Sequence, residues 1–440
     1  MPTPLYDALR EYAKKDPARF HMPGHKGKFL PAPELMGLAS IDVTELPPTG
    51  NLYTAGEPFD SAQRLWAERF GFDFCQFLTG GSTMGIHTGL ALCCKPGEKV
   101  LMDRSCHRAA FNALALLDLE PVFLPRPWMG PEGVAGPMEP ETVEKTLAER
   151  PEIKTVSITS PTYYGVLSDI PAIAAVCRAH GAKLLVDGAH GAHLPFLGYA
   201  GYQAADAVVM SAHKTLPAPG QSALLFANGF PLSQLQRWGS VYGSSSPSYV
   251  LMAALDGARD YMEGEGAARY RETARLVGGL RERRPALGER DGLRLDPARL
   301  TLTSPDGFAL ARALGERGVY PEMADAGHVV CILTCADGAA EFDRLERALE
   351  EAGPAGPCAP VPAPPEPSRA VLSPRQALFA PRERAALRES EGRVAACQIA
   401  PYPPGVPVIA PGERIEKKHL AYLREIGYNK EYCDVILKGE

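Results

Sequence analysis

The chain has no apolar run approaching the ~20 residues that cross a bilayer, so no membrane partner is expected. It has little net charge: 46 Lys and Arg stand against 52 Asp and Glu, giving −6 and a pI near 6.0. A nucleic-acid binder shows a basic excess or stripe, and none is evident, so no nucleic-acid partner is expected either. The opening Met1-Pro2-Thr3-Pro4-Leu5-Tyr6-Asp7 has neither the basic start nor the apolar core of a signal peptide. The ten cysteines have no repeating spacing, and Cys93-Cys94 are adjacent, which fits reduced core residues rather than a disulfide framework. A cytoplasmic location is therefore expected. No internal repeat of solenoid period is found. What remains is ordinary globular text, 45% hydrophobic and 22% charged, with 43 Gly and 42 Pro marking many loops. Its 440 residues suffice for one large and one smaller domain, and small-molecule chemistry is the default.

From about residue 74 to 227, short apolar runs alternate with amphipathic segments. Expected strands are Cys75–Thr79, Lys99–Met102, Pro121–Leu124, Lys154–Ile158, Lys183–Val186, Ala207–Met210 and Ala223–Phe226. Helices are expected over Thr83–Cys94, His107–Leu116, Glu141–Glu149 and Ile170–His180, after a first one near Leu5–Lys15. This alternation predicts an α/β fold with helices on both faces of a mostly parallel sheet. Ligands of such sheets gather at the carboxyl ends of the strands, where Thr79, Asp103, Ser160, Asp187 and Ser211 fall. After residue 260 the text suits a smaller α+β domain: an Arg-rich helix (Arg269–Arg284), strands Arg299–Thr303 and Val329–Leu333, and a helix over Ala339–Glu351. Gly353–Ser368, dense in Pro and Ala, reads as an extended linker, and a last helix is expected over Ser373–Glu389, interrupted at Pro381.

Lys214 ends Ser211-Ala212-His213-Lys214 at a strand edge, and Asp187 ends the apolar run Leu184-Leu185-Val186 upstream. A lysine amine that forms a Schiff base with an aldehyde, and a carboxylate that keeps a pyridine nitrogen protonated, suit pyridoxal 5'-phosphate chemistry. A lone lysine after a buried strand is by default a surface charge, and only its surroundings overturn that reading. Leu78-Thr79-Gly80-Gly81-Ser82-Thr83 offers a phosphate backbone N–H groups, hydroxyls and a helix start, although such turns are often plain caps. His107, at the next helix start, can stack on a planar ring or simply cap the helix. Asp187, His190 and His193 invite a metal reading, but Gly188 and Gly191 break a regular helix and Lys214 would repel a cation, so no metal is expected. Ala189 is small enough to lie under a flat ring.

Taken in order, these segments resemble the short form of the ornithine/lysine/arginine decarboxylase family, whose members are fold-type I pyridoxal-phosphate enzymes. The match rests on His21-Met22-Pro23-Gly24-His25-Lys26, Asp42-Val43-Thr44-Glu45-Leu46 with Asn51-Leu52, Gly81-Ser82-Thr83, His107, and Asp187-Gly188-Ala189-His190-Gly191-Ala192-His193. It continues through Ser211-Ala212-His213-Lys214-Thr215-Leu216, Ser244-Ser245-Ser246-Pro247 and Tyr402-Pro403-Pro404-Gly405-Val406-Pro407, so that it spans most of the chain. The resemblance implies an aspartate-aminotransferase-like large domain with a seven-stranded sheet over residues 51–265, after an N-terminal helix and arm (1–50) and before a small α+β domain (266–440) carrying the linker 353–368. It implies decarboxylation of an amino acid, most directly arginine, lysine or ornithine, to the amine, as in polyamine biosynthesis.

Lys214 would be the Schiff-base lysine, Asp187 the pyridine partner and His107 the stacking ring. Gly81, Ser82, Thr83, Ser211 and His213 would hold the phosphate, with Ala189 and His190 lining the ring, and His213 or Lys214 would return the proton to the α-carbon. Enzymes of this kind are homodimers or higher even oligomers with sites at the interface, so Ser244 would serve a neighbour's phosphate. Two departures bear on the substrate: Pro48-Thr49-Gly50 stands where relatives often carry acidic residues, and Gly188 where short forms commonly carry glutamate. Glu45, Glu57, Glu322 and Asp325 are then the candidate acidic contacts, against a default of solvated charge. The alternatives are another fold-type I lyase or aminotransferase, or a catalytically silent cofactor-binding protein.

Overall fold

Short apolar runs cannot satisfy their own backbone groups, so each must pair with another strand, through a crossover where the two run parallel. In a computed structural model, which describes residues 2–352, 356–401 and 405–437, they do so in one seven-stranded sheet. Its strands are β1 (Phe74–Leu78), β2 (Lys99–Asp103), β3 (Glu120–Leu124), β4 (Thr155–Thr159), β5 (Lys183–Asp187), β6 (Ala207–Met210) and β7 (Ala223–Ala227). Each lies within one residue of its expected bounds. The order is β1-β7-β6-β5-β4-β2-β3. β2, β3, β4 and β5 pair in parallel, whereas β7 runs antiparallel to both β1 and β6. The crossover helices include α1 (Gly81–Cys93), α2 (Arg108–Leu117), α3 (Pro140–Glu149) and α4 (Ile170–Ala179).

The chain divides into two units, Met1–Leu92 with Gly188–Arg271, and Cys93–Asp187 with Glu272–Glu440. In the first, α1 lies close on the sheet. A Cβ on Gly85 would stand 2.5 Å from Val209 Cγ1 and 2.8 Å from Leu78 Cδ1, so only hydrogen fits there. The helix starts at Gly81, two residues before the expected Thr83, because Gly81 takes a φ of +68° and turns the chain straight out of β1. The N-terminal helix Pro4–Lys14 is tied down by Asp256, whose carboxylate accepts the Leu5 and Tyr6 N–H groups at 2.9 and 3.2 Å.

The second unit adds a three-stranded antiparallel sheet of β8 (Arg299–Thr303), β9 (Met323–Ala324) and β10 (His328–Ile332), in the order β8-β10-β9. Val277, Leu280, Leu300, Leu302, Val329, Phe342 and Leu345 form its core. Farther along, Arg104, just past β2, donates to the Val408 carbonyl and to Glu413 at 2.9 and 3.0 Å, which anchors the C-terminal segment.

One expected element is wrong. The helix over Ser373–Glu389 is reduced to Pro374–Phe379, started by a reciprocal cap between Ser373 and Gln376, and a single 3-10 turn at Leu387–Glu389. Pro381 disfavours helical geometry at the residue before it, and Ala380 is extended (φ −67°, ψ 151°). Residues Arg382–Ala386 then form a strand paired with the distant Tyr432–Ile436. Of the linker, 356–368 carries no helix or strand, while 353–355 and Tyr402-Pro403-Pro404 lie outside the described residues. Among the described residues no helix is long and apolar enough to cross a membrane.

The close seat of α1 is testable. Gly85→Val forces a branched side chain into Val209 and Leu78, and should cost about 1–3 kcal/mol of stability. A lower thermal midpoint, measured against Gly278→Ala as a control at a helical position where a Cβ meets nothing within 4 Å, would register it.

Candidate active site

Reversal of β7 decides the geometry of the first unit's site. Because β7 is antiparallel to its neighbours, its first residues lie at the edge where β1 and β6 end, as the pairs Leu78↔Ala223 and Met210↔Leu224 show. The loop 211–222 must therefore turn back at that edge, and it carries Ser211, His213 and Lys214. Two stitches fix it. Gly81 N–H donates to the Gln221 carbonyl at 2.8 Å, with Gln221 itself left-handed at φ +72°. The His213 backbone N–H and ring Nδ1 both approach the Ser222 carbonyl, at 3.3 and 3.0 Å. A carbonyl only accepts, so Nδ1 carries the proton and Nε2 keeps its lone pair in the neutral ring. Ser211 Oγ stands 3.3 Å from the same Nδ1.

The Gly81-Ser82-Thr83 turn, Ser211, His213 and Lys214 are thus brought to one sheet edge. Lys214 is half-buried, and its Nζ lies 3.1 Å from Nε2 of the buried His190. Sequence reasoning placed His190 beside a ring but missed it as the partner of the lysine. It also missed Tyr270, whose hydroxyl donates to the Thr215 carbonyl and whose ring stacks on His193 (centroids 4.8 Å apart, 17° between planes). His190 and His193 therefore turn to different partners. Among the described residues no cluster of three His, Cys, Asp or Glu could hold a metal. Ala189 is buried, and Ser244 sits in an exposed turn, where its hydroxyl accepts the Ser246 N–H at 3.1 Å.

At position 188 a Cβ would stand 3.2 Å from Val208 Cγ1 and 3.3 Å from Tyr202 Cε1, so the glycine sits in close packing against two buried side chains.

In the second unit, Asp187 ends β5 in register with Thr159, and its carbonyl accepts the Ser160 N–H at 3.0 Å. His107 is the N-cap of α2: its Nδ1 accepts the Ala109 N–H at 3.2 Å, which puts the proton of the neutral ring on Nε2. Asp103 departs from the expected group of ligand-facing strand-end residues. Fully buried, its carboxylate accepts two N–H bonds from Arg126, at 2.6 and 2.9 Å, and another from Ser105 at 2.8 Å. It is a structural anchor.

Asp325 is similarly committed. It accepts from Tyr164 Oη at 2.6 Å, from the Gly327 and His328 N–H groups at 2.8 Å, and from His328 Nδ1 at 2.9 Å. Nε2 of His328 faces the Glu132 carbonyl at 2.8 Å, and a carbonyl only accepts, so that nitrogen donates. Burial pushes the Asp325 carboxyl up, but the His328 and Tyr164 bonds outweigh it and hold it below its ordinary value. Cys358 Sγ lies 3.4 Å from that Nε2, yet burial and Asp325 push its thiol up to about 11, which makes it a poor nucleophile. Glu322, by contrast, is exposed and bonded by the Tyr163 hydroxyl. Glu57 is exposed and bonded by Ser61, and Glu45 is half-buried and bonded by Thr44 at 2.6 Å.

Comparison with solved structures defines the class. The chain superposes on the lysine decarboxylase LdcF of Francisella novicida with a TM-score of 0.82, at 20% identity over 99% of this chain and 81% of that one. A PLP-bound structure of SPT aligns at 0.54, with 18% identity over 67% of this chain and 76% of that one. The fold is that of fold-type I pyridoxal-phosphate enzymes. The family follows from sequence: the model described as Orn/Lys/Arg decarboxylase, major domain, matches residues 3–287, and that of the C-terminal domain matches 367–431. The chain belongs to the Orn/Lys/Arg decarboxylase family and is a pyridoxal-phosphate-dependent amino-acid decarboxylase. Arginine decarboxylase of Bacillus subtilis is 30% identical over 96% of this chain and 93% of its own length. That of Halalkalibacterium halodurans is 31% identical, over 96% and 93%.

The Asp325 cluster gives a signed pH dependence. A carboxyl held low when folded contributes stability above its unfolded pKa and loses it as pH falls through the folded value. Asp325→Asn should therefore cost on the order of 2 kcal/mol at pH 7, and the gap to wild type should narrow as pH falls below the ordinary carboxylate range. Denaturant titrations over a descending pH series measure it.

Proposed function

We propose that the protein removes the α-carboxylate of arginine to give the corresponding amine, with Lys214 as the cofactor's covalent anchor. The observation that carries this reading is the sheet edge at which Lys214 meets His190 beside a glycine-rich helix start. Two arginine decarboxylases of matching length support the substrate.

These residues fit the cofactor by their donors. The helix start at Gly81, Ser82 and Thr83, together with Ser211 and His213, offers N–H and hydroxyl groups suited to its phosphate. In this reading Asp187 takes the pyridine nitrogen, while His107 and Ala189 line the two faces of the ring. When bound, pyridoxal phosphate supplies an electron-accepting ring. The protein's residues orient the α-carboxylate and return a proton to the α-carbon after carbon dioxide leaves. Glu322, exposed beside Tyr163, is the candidate contact for a basic side chain, since Asp325 is committed elsewhere. We further propose a cytoplasmic homodimer with Ser244 serving the neighbouring site. The proposed domains are an arm (1–50), a cofactor-binding domain (51–265) and a small domain (266–440).

Borohydride reduction of the wild-type holoenzyme should add the cofactor's mass to the peptide bearing Lys214. Lys214→Ala should abolish both that adduct and, by on the order of 10³-fold or more, carbon dioxide release. Given arginine, lysine and ornithine in turn, the enzyme should release carbon dioxide fastest from arginine. An adduct on another lysine would refute the anchor, and faster release from lysine or ornithine would refute the substrate.

A further inference from the structure

We propose that His190 is the proton partner of Lys214, and that the two form a dyad sharing one transferable proton. The inference rests on the reading of Lys214 as the cofactor's anchor.

The distance carries it. Lys214 Nζ and His190 Nε2 are 3.1 Å apart, within the reach of an N–H···N hydrogen bond. An ammonium has only protons to give, so when Lys214 is charged, Nε2 must accept and the imidazole proton sits on Nδ1. Shifting the bridging proton across gives a neutral lysine and an imidazolium, with no other atom moving far. Backbone bonds hold the histidine in place: Gly188 N–H donates to the Val209 carbonyl at 2.9 Å, and Gly191 N–H closes the turn on Gly188 at 2.8 Å. On the lysine's side, the Lys214 N–H donates to the Ser211 carbonyl at 3.2 Å. The loop beyond it is held by Tyr270 through the Thr215 carbonyl.

The reaction needs such a pair because Lys214 has two opposed tasks. As a nucleophile it must be neutral; as an acid it must carry a proton. Replacing a carboxylate by hydrogen breaks the C–C bond, leaves its electron pair on the α-carbon and consumes one proton there. If Lys214 delivers that proton it becomes neutral, ready to displace the product amine, and the dyad regains a proton from solvent. With His190 as the store, the lysine changes state without waiting on water. A neighbour whose own proton affinity lies near neutrality is suited to this. The other titratable groups on these two loops are already engaged. His213 holds its Nδ1 proton on the Ser222 carbonyl, and His193 is stacked on Tyr270. Asp187, three residues before His190, is the reading's pyridine partner. Because the dyad titrates as a unit, removing the imidazole should move the apparent midpoint of the pair as a whole.

The test uses the holoenzyme and His190→Gln, which keeps a hydrogen-bonding group but cannot carry a proton. Borohydride should trap the cofactor on Lys214 in wild type and variant alike. The pH midpoint of the bound cofactor's visible absorbance, read without substrate, should move by about one unit or more. kcat should fall about 10²-fold with KM changed far less, and a larger share of turnovers should end in a carbonyl product instead of the amine. A trapped variant with the wild-type pH midpoint and the wild-type product ratio overturns the dyad while leaving the anchor standing. Failure to trap the cofactor on Lys214 in wild type overturns both. Should His190→Gln not fold, His190→Asn is measured in the same way.

Discussion

The site depends on one reversed strand. β7 enters the sheet between β1 and β6, opposite to both, and so begins at the edge where they end. The chain is thereby obliged to turn back at that edge, and the loop that does so holds Lys214. A parallel strand in the same place would require a crossover to the opposite edge, which would carry the loop away from the ends of β1 and β6. The Gln221 carbonyl completes the arrangement by accepting the Gly81 N–H, which joins the glycine turn to the lysine loop through backbone alone. Side chains at this edge can then be chosen for chemistry, because the backbone already supplies the structure.

The same separation appears in the charged groups. Asp103 and Arg126, Asp325 and His328, and Arg104 and Glu413 are buried or partly buried and paired with one another. Burying such groups costs several kcal/mol each unless they are paired, so these pairs fix particular loops to particular strands. Arg126 also donates to the Gly136 and Thr159 carbonyls, which gathers three segments around the end of β2. A carboxylate in that role has no capacity left for a ligand.

Much of this was legible in the residues. Strands buried on both faces read as continuous apolar runs, and all seven, the more exposed edge strand β3 included, were found within a residue. The glycine turn, Asp187 at its strand end and the Ser-x-His-Lys tetrapeptide stood out because strand-end position is encoded locally. What was illegible depends on partners far apart in the chain. Arg382–Ala386 is a strand only because Tyr432–Ile436 lies beside it, and its Ala and Arg content favoured helix. Asp103 could not be told from a ligand-facing residue without Arg126, and Gly188 could not be read as close packing without Val208 and Tyr202. Strand order is also long-range information, and neither β7's reversal nor the contact of residues 190 and 214 has a local signature.

That last contact shows how the two levels meet. His190 follows β5 and Lys214 follows β6, and the sheet places these strands next to each other. Each residue stands three or four positions beyond its strand, on loops that leave from the same edge. A histidine and a lysine so placed have little freedom to avoid each other, because neither loop is slack: one is closed by the Gly191–Gly188 bond, the other by the bonds at Ser222. The 3.1 Å separation is therefore a consequence of the backbone path. Preorganisation of this kind is what proton transfer rewards, since a donor and acceptor already at hydrogen-bond distance need no reorganisation when the charge moves.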